Sequence, residues 1–476
     1  MWFSAELYSA VATLTDISTI PLTHLNHIDA LLDKGPDWNY QTGNPDNTLY
    51  YTFSSTAAIM ADNDDEISGW SSALTASQQA YARDAMAYLT EVTGILFVET
   101  PISSKAQVHF ANADIIDPHV TAECAWDAEY WYLPDNTLTK YNADAIVYLD
   151  NNEWGSENAN LAPGGNGYET LLHELGHMLG LKHPFDGDIT LPEDLDDTSY
   201  TLMSYTSDGY AHAEFSDYDI AALDWLYGRD GLRGQLGLNS AGGVWLDGDE
   251  GDNVLVGYQH GDVLMGGFGN DTLMGAGGDD LLAGSIGDDT IDGGAGLDTI
   301  VYGGDRAGYS VVRDGARVTV SDAAGWEGTD SVLNAERLMF TDKTVALDID
   351  GLAGSAYRLY QAAFDRTPDA TGLGYWIDVL DSGTSLRDAA AGFMSSAEFA
   401  RLYGSNNPDG VAFVSRLYQN ILHRAPEQGG FAYWTDALHK GADKAEVMAA
   451  FSESAENKAA LIGVIGDGFD YVAYTG

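Results

Sequence analysis

Apolar positions change rhythm twice along the chain. Up to about residue 230, short runs such as TLYYTFSS (48–55), AQVHFANAD (106–114) and DAIVYLDNN (144–152) predict strands. In ASQQAYARDAMAYLTEVTG (76–94), Ala, Tyr and Leu recur every three or four residues and predict a long amphipathic helix. SDYDIAALDWLYG (216–228) predicts another, with Ser and Asp able to cap it and Gly228 able to end it. The region reads as mixed α/β.

Between residues 247 and 304 the period is nine. Units begin at Gly248, Gly257, Gly266, Gly275, Gly284 and Gly293; the sixth position reads Asn253, Asp262, Asp271, Asp280, Asp289, Asp298, and the eighth is Leu or Ile throughout. A glycine-rich turn of six residues leading into a three-residue strand, with one aliphatic pointing inward, stacks into a parallel β-roll. Aspartates at a fixed place in every turn form ladders of like charge, which suit Ca²⁺ bound by carboxylate and backbone oxygens. The expected calcium residues are Asp262, Asp271, Asp280, Asp289 and Asp298 with Gly266, Gly269, Gly275, Gly278, Gly284 and Gly287. Asn253 and His260 break the pattern at the first two units, so calcium is less expected there. A hairpin follows around Asp314-Gly315, then further strand to about residue 348.

From 356 to 460 the spacing becomes helical and duplicated at an offset of 58, RLYQAAFDRTPDATGLGYW pairing with RLYQNILHRAPEQGGFAYW and SSAEF with ESAEN. Tyr360, Phe364, Trp376 and their mates are expected in a core. The chain is thus expected to be multidomain. An α+β domain spans 1–230, its first 35 residues a candidate pro-segment. A β-roll with flanking strands in a β-roll/β-sandwich domain spans 231–350, and an all-α domain spans 351–476.

Composition narrows the function. With 73 Asp and Glu against 21 Lys and Arg, the net charge of -52 repels nucleic-acid phosphates and anionic lipid, so neither is an expected partner. Cys124 is the single cysteine, which rules out an internal disulfide; it is expected to be a small buried residue. The opening MWFSAELYSAVATLTD has no basic residue before Lys34, unlike a typical secretory leader, and no apolar run approaches the roughly 18 residues of a membrane span.

HELGHMLGLKHP (173–184) carries the chemistry. His173 and His177, four apart on a helix, leave one face together; Gly180 can turn the chain back so that His183 returns as a third nitrogen ligand. Three imidazoles leave one position of a tetrahedral zinc open, as catalytic sites do. Glu174, one step round, is placed to reach a metal-bound water as general base. The extended pattern HExxHxxGxxH arises by chance on the order of once in 10⁴ chains. The other eight histidines are not expected at the metal.

This motif resembles that of the metzincin metalloproteases, and Pro184 after the third histidine resembles the serralysin branch. TLMSY (201–205) is similar to the metzincin Met-turn, which implies Met203 as the supporting methionine and Tyr205 as a zinc ligand that swings away to bind the oxyanion. GILFVET, AQVHFANAD, EYWYLP, DAIVYL and DIAALDWLYG extend the similarity, and the repeats resemble the RTX calcium β-roll. The resemblance covers about residues 30 to 350. It implies a secreted, extracellular bacterial endopeptidase of proteins and peptides, monomeric, requiring Zn²⁺ and Ca²⁺, exported by a type I secretion apparatus and without membrane insertion. A substrate added as a strand beside 144–152 is expected. The span from His183 to Met203 is short for the family. The duplicated tail resembles a helical domain of unknown function found beside calcium repeats, with no activity attached. Two alternatives remain: a calcium-dependent adhesion or surface-layer protein with a vestigial protease domain, and a protease held latent by its first residues.

Overall fold

A computed structural model describes residues 12–20, 22–44, 47–54, 67–229, 231–232 and 243–474. Most of the proposed pro-segment's first third, residues 1–11, lies outside them. The chain divides into two compact units, residues 1–249 with 257–264 and residues 250–256 with 265–476.

In the first unit, α1 (Asn26–Asp29) and β1 (Thr48–Thr52) precede β2 (Ile67–Ser72), α2 (Ala76–Thr93), β3 (Leu96–Glu99), β4 (Val108–Ile115), β5 (Ala122–Tyr132) and β6 (Leu138–Asp150). The short α3 (Gly155–Asn158), then α4 (Asn166–Met178) and α5 (Asp217–Tyr227), follow. A reciprocal Thr75–Gln78 capping box starts α2, and Gly94 at φ 71° ends it. Strands run β3-β1-β4-β6-β5 across the sheet, with β2 also on β4. β1, β3, β4 and β6 are parallel; β5 is antiparallel to β6. The run 144–152 therefore lies inside the sheet, between β4 and β5. The strand that ends the sheet on that side is β5, which corrects the expected docking strand: apolar alternation marks a strand but not its neighbours.

The helices are held to one another by buried donors. Trp38 Nε1 donates to Met178 O at 2.6 Å and Tyr227 Oη to Leu179 O at 2.6 Å, fixing the end of α4. Leu171, Leu172, Leu175 and Met178 are wholly buried, the stripe of α4 that faces the core.

From residue 245 the chain forms three-residue strands: β7 (Trp245–Asp247), β8 (Val254–Val256), β9 (Val263–Met265), β10 (Thr272–Met274), β11 (Leu281–Ala283), β12 (Thr290–Asp292) and β13 (Thr299–Val301). Within the second unit β8, β10 and β12 pair in parallel, as do β11 and β13. Leu255, Leu273, Leu282, Ile291 and Ile300 are buried, so the eighth position of the repeat is the inward one. The hairpin β14 (Tyr309–Asp314) and β15 (Arg317–Asp322) turns at Asp314-Gly315, and β16 (Thr329–Leu333), β17 (Arg337–Met339) and β18 (Thr344–Ala346) complete the strands.

Eight helices follow: α6 (Leu352–Phe364), α7 (Ala370–Asp381), α8 (Leu386–Met394), α9 (Ala397–Tyr403), α10 (Gly410–Asn420), α11 (Gln428–His439), α12 (Lys444–Ser452) and α13 (Ala455–Ile465). The duplication is structural: Arg366 pairs with Glu398, and 58 residues on Arg424 pairs with Glu456. Tyr360 and Tyr418 are buried, while Phe364, Trp376 and Trp434 pack partly buried against the same core. The chain closes with β19 (Phe469–Tyr471) on β18. No helix among the described residues is long and apolar enough to cross a membrane.

Candidate functional site

Helix α4 and the turn after it gather His173, His177 and His183, whose ligand nitrogens all lie within 4.8 Å of one another. The Nε2 atoms of His173 and His183 are 3.3 Å apart and those of His177 and His183 3.1 Å. Each ring is fixed from behind through Nδ1. His173 donates to Leu202 O at 2.6 Å, His177 to Leu181 O at 2.8 Å, and His183 to Asp186 Oδ2 at 2.8 Å. With Nδ1 carrying the proton, three Nε2 lone pairs converge, an arrangement that repels unless a cation sits among them. A tetrahedral ion with bonds of about 2.0–2.1 Å spaces its nitrogens about 3.3 Å apart, so the donor set fits zinc. Burial, with the neighbouring imidazoles, pushes His173 down to about 3 and His177 to about 4, which keeps both neutral at pH 7.

Gly180 at φ 97° makes the return to His183. Lys182 secures the loop beyond it, its ammonium donating to Ala30 O, Asp186 O and Ile189 O at 2.5, 2.6 and 3.1 Å. Glu174 is buried beside the cluster. Burial first, then Glu123, pushes its carboxyl up to about 8, opposed by a hydrogen bond from the Cys124 backbone N–H. Cys124 is half-buried on β5, less enclosed than the sequence suggested, because it lies on the strand that ends the sheet.

Met203 lies under α4 with no exposed surface, and a Cβ at Gly176 would stand 2.5 Å from its Sδ. Asp219, wholly buried on α5, anchors that turn: it accepts from Thr201 Oγ1 at 2.6 Å and from the Leu202 N–H at 2.7 Å. Sequence reasoning saw this acid only as part of a helix cap. Asp186 and Lys182 were missed as well, although the motif itself places both within three residues of His183. Tyr205 is 72% exposed, its ring 4.5 Å from that of His183 and 5.9 Å from that of His173. His212 lies apart, bonded instead to Asp208 and Glu169.

In the roll, Gly269, Gly278 and Gly287 have φ of 112°, 115° and 145°. A Cβ at Gly266, Gly275 or Gly284 would collide with the Oδ2 of Asp271, Asp280 or Asp289, so these glycines make room for the carboxylates. Asp262 differs: both its oxygens accept backbone N–H groups, from Val244 and Tyr258. In a further acidic group, Asp114, Asp150 and Glu153, Asp150 accepts the backbone N–H groups of Ile115, Asn152 and Trp154.

The model of the RTX calcium-binding nonapeptide repeat (4 copies) matches residues 245–273 and 274–306, and supports calcium as the ion of the roll. A domain of unknown function, DUF4214, matches 356–403 and 390–461. Metallopeptidase AprA of Pseudomonas marginalis is 32% identical over 222 residues, 42% of this chain and 43% of that protein. Serralysin of Photorhabdus laumondii is 30% identical over 177 residues, 33% and 34% of the two chains. Serralysin G of Dickeya chrysanthemi is 29% identical over 206 residues, 38% and 39%. Over these segments the chain is similar to serralysins. It matches less than half the length of each of these curated relatives. The crystal structure of extracellular lipase LipA from Serratia marcescens aligns over 20% of this chain and 14% of its own at 24% identity, with a TM-score of 0.14, too low to bear on the fold.

Proposed function

We propose that this serralysin-like chain is a zinc-dependent endopeptidase acting on proteins or peptides outside the cell, with calcium holding its roll folded. The observation that carries the reading is the convergence of three outward-tethered imidazoles on one point with Glu174 buried beside it. Zinc, held by His173, His177 and His183, would supply Lewis acidity, polarising a scissile carbonyl and lowering the pKa of a water. Glu174, held by the Cys124 N–H, takes the proton of the attacking water and returns it to the leaving amine. Tyr205, at the mouth of the cluster and able to reach it, donates its hydroxyl to the developing oxyanion, an interaction worth about 3 kcal/mol of barrier. β5, which ends the sheet beside Glu174, takes the substrate as an added strand. Millimolar extracellular Ca²⁺ suits the Asp ladders, whereas cytosolic levels would leave them unneutralised, and type I export accords with this.

The test is hydrolysis of casein in millimolar Ca²⁺ with Glu174→Gln as control. Wild-type cleavage that falls by about 10³-fold in the variant, with one zinc still bound, supports the reading. Wild-type protein that binds zinc but leaves casein intact, before and after trimming of its first residues, sinks it.

A further inference from the structure

His173 and His177 share helix α4, so the helix sets their spacing. His183 is different. It lies beyond the helix end at Met178, on a stretch without helix or named strand before α5 begins at Asp217. Its place depends on whatever holds that stretch, and a loop left free would have to be ordered each time a metal bound.

Residues 26–38 do much of the holding. Leu32 bridges Leu181 in antiparallel fashion, with Lys182 N–H donating to Leu31 O at 2.8 Å and Asp33 N–H to Gly180 O at 2.9 Å. Trp38 Nε1 donates to Met178 O, and Asn26 Nδ2 donates to Thr190 O at 3.3 Å. Ile28, Ala30, Leu31 and Leu32 have no exposed surface, so this strip belongs to the core of the first unit.

Lys182 joins the strip to the far side of the loop. Its ammonium has three donors, and three carbonyls use them: Ala30 in the strip, Asp186 and Ile189 in the loop. Leu191 N–H closes the same loop on Pro184 O at 2.9 Å. Asp186, whose carbonyl Lys182 holds, is also the residue whose carboxylate takes the Nδ1–H of His183. One ammonium thus fastens the N-terminal strip, the loop and, through Asp186, the ring of the third histidine. The pattern HExxHxxGxxH leaves position 182 open, so the lysine is a feature of this chain.

We propose, resting on the zinc reading of the histidine cluster, that Lys182 is a positioning residue for the third metal ligand and that residues 26–33 are part of the metal site's support. Trimming that passes Asn26 would then weaken zinc binding instead of releasing activity, and any segment that holds the chain latent ends before it.

Zinc affinity of the full chain, measured by chelator competition, tests this. Lys182→Met nearly keeps the side chain's length and loses the three donors; it should bind zinc about tenfold more weakly, as when other groups that orient metal ligands are lost. Thr75→Ala, which removes the capping box of α2, should lower Tm and leave zinc affinity unchanged. Affinity lost equally in both variants, or in neither, would overturn the proposal, because a lysine that served stability alone would act as the cap does. A wild type that binds no zinc would instead sink the reading of the cluster, and this inference with it. Should Lys182→Met fail to fold, hydrogen exchange on the wild type decides. Coupling is reciprocal, so a strip that favours zinc must be stabilised by zinc. Zinc should slow the amides of Asp33 and Lys182 about tenfold more than those of α2. Equal slowing in both places would overturn the assignment.

Discussion

At the histidine cluster, three candidate ligand nitrogens come from eleven consecutive residues, each ring is fastened through its other nitrogen, and burial keeps His173 and His177 neutral. In the roll, the candidate ligands come from turns eighteen residues apart, the N–H of one aspartate donates to the carboxylate of the next, and burial raises the carboxyls of Asp289 and Asp298, the latter to about 6. Two candidate cation sites on one chain thus differ in what builds them. The first is assembled by its own helix, turn and hydrogen bonds, and a cation is the guest. The second gathers like charges that oppose their own assembly, and a cation is part of the structure.

The largest test of that contrast is to remove each ion separately. A site with free Ca²⁺ tenfold above its Kd contributes about 1.4 kcal/mol, and several such sites together rival the whole stability of a domain. Chelating calcium should therefore unfold the roll at 25 °C, seen as loss of near-UV dichroism and of amide protection in 265–346. Stripping zinc alone should leave the dichroism at 25 °C intact and only lower Tm. If both treatments, or neither, unfolded their own region, the distinction would collapse.

Packing beneath the histidines comes next. Gly176→Ala would drive a methyl into Met203 Sδ, an overpacking of about 1–3 kcal/mol, and should lower the Tm of the first unit. Gly429→Ala, on α11 with open space around its Cβ position, is the matched control and should leave Tm within about 1 °C. A smaller effect is expected behind the third ligand. Asp186→Asn keeps the shape but weakens the acceptor of the His183 Nδ1–H, and should reduce zinc affinity about tenfold in a chelator competition. No change in affinity would mean that the helix and turn alone position that ring.

What the sequence disclosed follows the same division. The roll announces itself by its period, because every turn must place an aliphatic inward and an acid at one point; the buried Leu255, Leu273, Leu282, Ile291 and Ile300 are those the spacing marks. Helix 76–94, the hairpin at Asp314-Gly315 and the duplicated helices were legible for the same local reasons. Pairing between distant segments was not. Nothing in DAIVYLDNN says that β5 lies outside it, and β5 itself, rich in acids and half-exposed aromatics, gives no apolar alternation. Asp219 looks like an ordinary cap until the 201–203 turn folds onto it.

The smallest predicted effect is also the most selective, because its sign should invert with calcium. In the metal-free chain, burial pushes Asp298 up to about 6 and Asp330 to about 7, against about 3.9 for an unfolded carboxylate. A carboxyl whose folded pKa is raised favours folding while protonated; that contribution is complete below about pH 4 and is lost as pH rises through 6 to 7. In chelator, the second unit should therefore melt higher at pH 5 than at pH 7.5. In millimolar calcium protons compete with the ion for the same oxygens, so the order should reverse. The net charge of -52 also relaxes on acidification, which could mimic the first half of this result. Asp298→Asn with Asp330→Asn separates the two: the general charge effect persists in that variant, whereas the ladder's share of the pH dependence disappears. Full retention of the wild-type slope would place the titrating groups outside the ladders and return the roll to the same footing as the histidine cluster.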